Sequence, residues 1–237
     1  MSVALLCAAV AAAGNVLGAL TVVWRATWNR AALESMLAVA AGFMVSVAIV
    51  ELIPESIARS GVSAGSWILG GYLVVHLTQH TFAGHFHFGE ERHRVSPSVS
   101  TAALAGLMVH TFVDGVAIAS GYEVSTALGT LVFGAILLHK VPEGLAIASM
   151  FVAAGAGRRA ALVAAAALGV ATILGVALTG WIDPLARYGL PLAAGVSLYV
   201  GASNLVPELH RLPRWRTAAA FFGGCGLFLL ARAVVFQ

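Results

Sequence analysis

Two segments of the chain carry a histidine followed four residues later by an acid. His110 and Asp114 form the first pair, and His139 and Glu143 form the second. Residues four apart stack on one face of a helix, so each segment would present a ring nitrogen and a carboxylate oxygen together. Two nitrogens and two oxygens suit Zn²⁺ and related borderline ions and complete a four-coordinate shell without thiolates. The pattern predicts a metal site formed by all four side chains.

The pairs lie inside long apolar runs. Of the 237 residues, 60% are hydrophobic and 10% are charged, and the mean hydropathy is +0.93. A soluble domain carries about 25% charged residues, so this composition indicates a membrane protein. An ionisable group at the bilayer centre costs about 3 kcal/mol and normally lines a pathway. A proton relay is the alternative for the paired motifs.

Apolar windows predict an all-α integral membrane protein whose eight transmembrane helices form one domain over residues 1–237. The first run is too long for a signal-peptide core and should remain as a helix. The predicted helices span residues 2–24, 32–57, 64–83, 98–121, 124–153, 159–181, 185–209 and 215–236.

Arginines alternate between the two sides of this arrangement. Nine lie in the connections after the odd-numbered helices, against three on the other side. By the positive-inside rule both termini are extracytoplasmic. The polar loop 85–98 is then cytoplasmic, and its His85, His87 and His93 either bind metal weakly or belong to a solvated linker.

Two motifs recur on helices of opposite direction. His110–Ser120 resembles His139–Ser149, and Glu51–Glu55 resembles Asn204–Glu208. Matching motifs on antiparallel helices predict an inverted repeat of three helices, a central pair and three helices, as is common in transporters with a central site. Chance similarity among alanine-rich helices is the alternative.

Further polar residues lie near the ends of the predicted helices. They are candidate entrance and exit stations for an ion, although acids at helix ends are often simply solvated. These candidates are Glu51, Glu55, Asn204, Glu208 and His210.

At these motifs the chain resembles the ZIP family of divalent-metal transporters, in particular its bacterial branch, whose central helices carry motifs such as His-x-x-Pro-Glu-Gly. The resemblance covers essentially the whole chain. It implies uptake of Zn²⁺, or of Fe²⁺, Mn²⁺ or Cd²⁺, toward the cytoplasm by alternating access. It also implies a multi-pass protein of a bacterial inner membrane, a homodimer, and ligand roles for His110, Asp114, His139 and Glu143.

The chain departs from the family where many relatives bind a second ion. Those places hold Thr111, Lys140 and Thr172. We expect the Lys140 ammonium to occupy the place of the second ion and supply its charge, leaving one transported metal. Alternatively, Lys140 points away and pairs with Glu51 or extends toward the membrane surface.

Two other classes of protein could use such ligands. A membrane-embedded metalloenzyme would activate a bound water, but the sequence has neither a His-Glu-x-x-His motif nor clustered histidine boxes. A cation or proton channel would use the carboxylates without ligating metal. The arginines at helix ends explain the net charge of +3, so a nucleic-acid partner is not expected.

Overall fold

A computed structural model describes residues 2–24, 30–81, 97–205 and 215–236, and these residues form helices and no strand. Long apolar segments form helices because a bilayer core offers no water to satisfy the backbone. The helices are α1 (Ser2–Val23), α2 (Arg30–Val47), α3 (Ile53–Ser60), α4 (Ser63–Thr81), α5 (Pro97–Val124), α6 (Thr126–Ala153), α7 (Gly157–Thr179), α8 (Asp183–Leu198) and α9 (Trp215–Val235).

Two helices change locally to π-helical geometry. The segment π1 (Ala48–Leu52) joins α2 to α3, and π2 (Tyr199–Leu205) continues α8. In π1 the backbone N–H of Ile53 donates to the carbonyl of Ala48, five residues back. The wider turn lies directly before Pro54, which has no N–H to donate. The predicted helix 32–57 is therefore a succession of α2, π1 and α3.

Six helices in the described part of the chain are long and apolar enough to cross a membrane. The helices α4 and α8 are not among them, so the eight crossings stay a prediction. The six segments are Val3–Val23, Ser35–Ser60, Ser100–Val124, Thr126–Ala153, Gly157–Thr179 and Trp215–Val235.

Helix packing divides the molecule into a centre and a periphery. The helices α1, α5, α6 and α7 pack on one another, and we call them the central group. Around them α2 packs on α9, and α4 packs on α8. Large apolar side chains such as Leu6, Val163 and Leu230 are exposed on the outer surface. Exposed apolar faces of this extent fit contact with lipid.

A single residue, Ser125, connects α5 to α6. Its backbone is extended, and its hydroxyl oxygen accepts a hydrogen bond from the backbone N–H of Leu128 at 3.1 Å, which caps α6. The short turn makes the two helices neighbours of opposite direction. His110 and His139 are nearly the same number of residues from this turn, so they lie at similar depth, whereas Glu143 is about one helical turn further away.

Candidate metal centre

The four predicted ligands lie on the two helices that meet at Ser125. His110 and Asp114 are on α5, and His139 and Glu143 are on α6. Each is buried, with a relative exposure between 3% and 5%. Acids and histidines are rarely so buried without a partner or an ion.

Three of the four side chains converge. Oδ2 of Asp114 lies 3.5 Å from Nε2 of His110 and 3.3 Å from Nε2 of His139. Ligand atoms of these residues all lie within 4.8 Å of one another. A tetrahedral Zn²⁺ with bonds near 2.0 to 2.1 Å separates its ligand atoms by about 3.4 Å. The cluster therefore has the dimensions and donor types of a small divalent-metal site.

The orientation of His139 favours ligation. Its Nδ1 donates a hydrogen bond to the backbone carbonyl of Ala135 at 3.0 Å. A neutral ring in this tautomer directs the lone pair of Nε2 toward Asp114. The lone pairs of Nε2 and of the Asp114 carboxylate oxygen then face each other, which is unfavourable unless a proton or a cation lies between them. A backbone carbonyl that fixes the ring in this way is typical of histidine ligands.

Lys140 connects the acids of both motifs. Its Nζ donates to Oδ2 of Asp114 at 2.7 Å and to Oε2 of Glu143 at 2.8 Å, and its side chain is fully buried. Glu143 is therefore engaged with Lys140 and lies outside the three-residue cluster. With neutral histidines, the two carboxylates and one ammonium give the centre a net charge of −1.

The two alternatives for Lys140 do not match this arrangement. The side chain points into the centre, and Glu51 pairs instead with Arg232 of α9. Glu51 thus connects π1 to α9.

Thr111, Thr172 and Glu55 have hydrogen-bond or ion-pair partners outside the centre. The hydroxyl of Thr111 donates to the carbonyl of Met108 at 3.2 Å, and that of Thr172 donates to the carbonyl of Leu168 at 3.3 Å. Glu55 pairs with Arg59 at 2.8 Å on an exposed surface.

Several candidates cannot be placed. The backbone of Asn204 belongs to π2, but its side chain is not described. Glu208, His210 and the loop histidines His85, His87 and His93 lie outside the described residues.

One buried polar residue escaped the sequence analysis. Asn15 lies in α1 with no exposed surface, and neither Oδ1 nor Nδ2 has a hydrogen-bond partner among the described residues. The signal was available, because an amide in the middle of a long apolar helix is costly.

The fold and the centre together define a class: an α-helical membrane protein whose central helices bury a His/Asp cluster that fits a divalent metal ion. A family model described as "ZIP Zinc transporter" matches residues 90–232, which is more than half of the chain and includes both motifs. The chain belongs to the ZIP zinc transporter family. Among curated proteins no significant match was found. The family consists of multi-pass membrane transporters of divalent metal ions, and the resemblance read from the motifs is confirmed.

Proposed function

We propose that this protein carries one divalent transition-metal ion, Zn²⁺ first among the candidates, toward the cytoplasm through a site formed by His110, Asp114, His139 and Glu143. The observation that carries the proposal is the buried convergence of His110, Asp114 and His139 within 4.8 Å. A catalytic or structural role is not needed to explain such a site in a member of a transporter family.

The types of donor atom support a preference for transition-metal ions over Ca²⁺ and Mg²⁺. Imidazole and carboxylate suit Zn²⁺, Fe²⁺, Mn²⁺ and Cd²⁺, whereas Ca²⁺ and Mg²⁺ require shells of six or more oxygens. Two histidine nitrogens in the cluster disfavour those harder ions. We therefore expect Zn²⁺ and Cd²⁺ to compete for the site, and Ca²⁺ and Mg²⁺ to compete poorly.

The charge balance supports a single ion. Asp114, Glu143 and Lys140 sum to −1, so one bound divalent ion gives +1, and two would give +3 in a poorly solvated interior. Lys140 already contacts both acids. Isothermal titration of the purified protein should give one tight equivalent of Zn²⁺, and two tight equivalents would contradict the single-ion proposal.

Alternating access between inverted repeats is the mechanism that the packing supports. In the periphery, a methyl group on Gly42 would overlap the carbonyl of Phe221, and one on Gly224 would overlap that of Val39. The same contacts recur between α8 and α4, where Gly195 meets the carbonyl of Ile68, and Gly71 meets that of Leu192. Gly195 follows Gly42, and Leu192 follows Val39, by the same number of residues. That number also separates Ile68 from Phe221 and Gly71 from Gly224. The same separation relates Glu51 in π1 to Asn204 in π2.

The central group shows a second pair of matching contacts. A methyl group on Gly115, the residue after Asp114, would overlap the carbonyl of Thr172 in α7. One on Gly144, the residue after Glu143, would overlap the carbonyl of Asn15 in α1. The two acid motifs thus occupy matching contacts, as an inverted repeat requires.

The proposed topology has eight crossings with extracytoplasmic termini in a bacterial inner membrane. The uneven distribution of arginines supports the orientation. The resemblance to the bacterial branch of the family supports a location in the inner membrane and a homodimeric state.

Uptake of radioactive Zn²⁺ into proteoliposomes tests the function. We expect saturable uptake that His139→Ala with Glu143→Ala abolishes, and that Glu123→Gln, an exposed acid on α5, leaves intact. Uptake that does not saturate, or that ignores the double substitution, would favour a channel. Absence of uptake would contradict the proposal.

A further inference from the structure

Asn15 interrupts a stripe of small apolar residues on α1. Ala4, Ala8, Ala11 and Ala19 flank it along the same buried face, and each is 3% exposed or less. Asn15 itself is fully buried, and its amide oxygen and nitrogen have no hydrogen-bond partner in the described part of the chain. A buried, unpaired amide is unfavourable compared with the alanines around it. A ligand that enters the central group would remove this cost by giving the side chain a partner.

The helix geometry directs Asn15 toward the axis of the central group. Gly14 lies against Lys140 of α6, where an added methyl would be 3.1 Å from the lysine Cβ. Ala12 lies against Gly169 of α7. Successive residues rotate by about 100° around a helix, which puts Asn15 between the face toward α6 and the face toward α7.

A second unsatisfied group lies on the neighbouring helix. Oε2 of Glu143 accepts from Lys140, but Oε1 is buried without a partner among the described residues. The backbone of Asn15 packs directly on Gly144, the next residue. The residues that carry these two buried oxygens, one charged and one neutral, thus lie at one contact between α1 and α6. A divalent cation bound there would satisfy both oxygens.

We propose that the side-chain oxygen of Asn15 is a ligand of the transported divalent cation on the Glu143 side of the centre. This inference rests on the proposed function. The matching position of the other repeat is Thr172, whose hydroxyl is already engaged with Leu168. The centre is therefore asymmetric, because of these two matching side chains only that of Asn15 has no hydrogen bond among the described residues.

The test is the dissociation constant for Zn²⁺ of the full-length protein in detergent, measured by competition with a fluorescent chelator. Asn15→Leu should weaken binding about tenfold, the lower end of the loss seen when a supporting group of a metal site is removed. Asn15→Asp should tighten binding, because it exchanges a neutral oxygen for a charged one. Thr179→Val is the matched control, since the buried hydroxyl of Thr179 is satisfied within α7 by Gly175 at 2.7 Å, and it should keep the wild-type value.

The outcomes separate this inference from the function on which it rests. Wild-type affinity in both Asn15 variants, together with loss of binding in Asp114→Asn, would overturn the role of Asn15 and leave the metal site standing. Absence of Zn²⁺ binding by the wild type would overturn both. If Asn15→Leu fails to elute as a folded species in size-exclusion chromatography, Asn15→Asp decides alone, and unchanged affinity in that variant overturns the inference.

Discussion

The ammonium of Lys140 lies 2.7 Å from Oδ2 of Asp114 and 2.8 Å from Oε2 of Glu143, so one buried cation joins the acids of both motifs. The ammonium can balance one of the two carboxylate charges before an ion arrives. An incoming metal must then compete with it for Asp114, the residue that also contacts both histidines. We therefore expect Lys140 to limit how tightly the centre holds a metal ion.

Replacing Lys140 by methionine should widen the difference in stability between the metal-free and the metal-bound protein. Breaking a buried ion pair costs about 3 to 5 kcal/mol because the partner charges stay buried. We expect Lys140→Met to lower the melting temperature without metal, and Zn²⁺ to raise it by more than in the wild type.

A thermal-shift measurement with and without Zn²⁺ checks this prediction. Arg59→Met is the control, because the exposed pair of Arg59 with Glu55 is worth about 1 kcal/mol at most. Equal melting temperatures and equal Zn²⁺ shifts in wild type and Lys140→Met would show that the ammonium does not neutralise the acids.

Asp114→Asn should have the largest effect on metal binding of any single substitution. Its Oδ2 is the atom that contacts both histidines, and the substitution removes the charged ligand while keeping the shape of the side chain. We expect the affinity for Zn²⁺ to fall about 100-fold or more. Titration of the solubilised protein measures it, with Glu123→Gln as the control, and retention of wild-type affinity would place the ion elsewhere.

Zn²⁺ binding should weaken on acidification. Histidine ligands must be neutral and carboxylates ionised, so protons compete with the metal. Affinity should therefore fall as the pH drops and level off at the higher pH where protons no longer compete. Dissociation constants for Zn²⁺ measured from pH 5 to pH 8 check whether binding weakens as the pH falls. A dissociation constant that does not change with pH would argue against histidine ligation.

Gly144→Ala should destabilise the contact between α1 and α6. The added methyl would overlap the backbone of Asn15, so the helices must separate, at a cost of about 1 to 3 kcal/mol. Gly226→Ala in α9 is the control, because nothing lies within 4 Å of a methyl there. Thermal unfolding of both variants in detergent is the measurement. A Gly144→Ala protein as stable as Gly226→Ala would contradict the close approach of α1 to α6.

The sequence by itself determined the helical, membrane-embedded character of the chain and the two ligand pairs. Apolar runs and four-residue spacing are local properties, and a helix follows from them wherever backbone groups have no water. The predicted central helices 98–121 and 124–153 correspond closely to α5 and α6. The family could also be recognised from the sequence, because both motifs lie within the residues that the family model matches.

Only the tertiary structure decided which of these side chains meet. His110, Asp114 and His139 converge across α5 and α6, whereas Glu143 turns to Lys140, three residues earlier in its own helix. The direction of Lys140 and the burial of Asn15 depend on how closely α1 approaches α6 at Gly144. Such contacts join residues far apart in the chain, and no local periodicity specifies them.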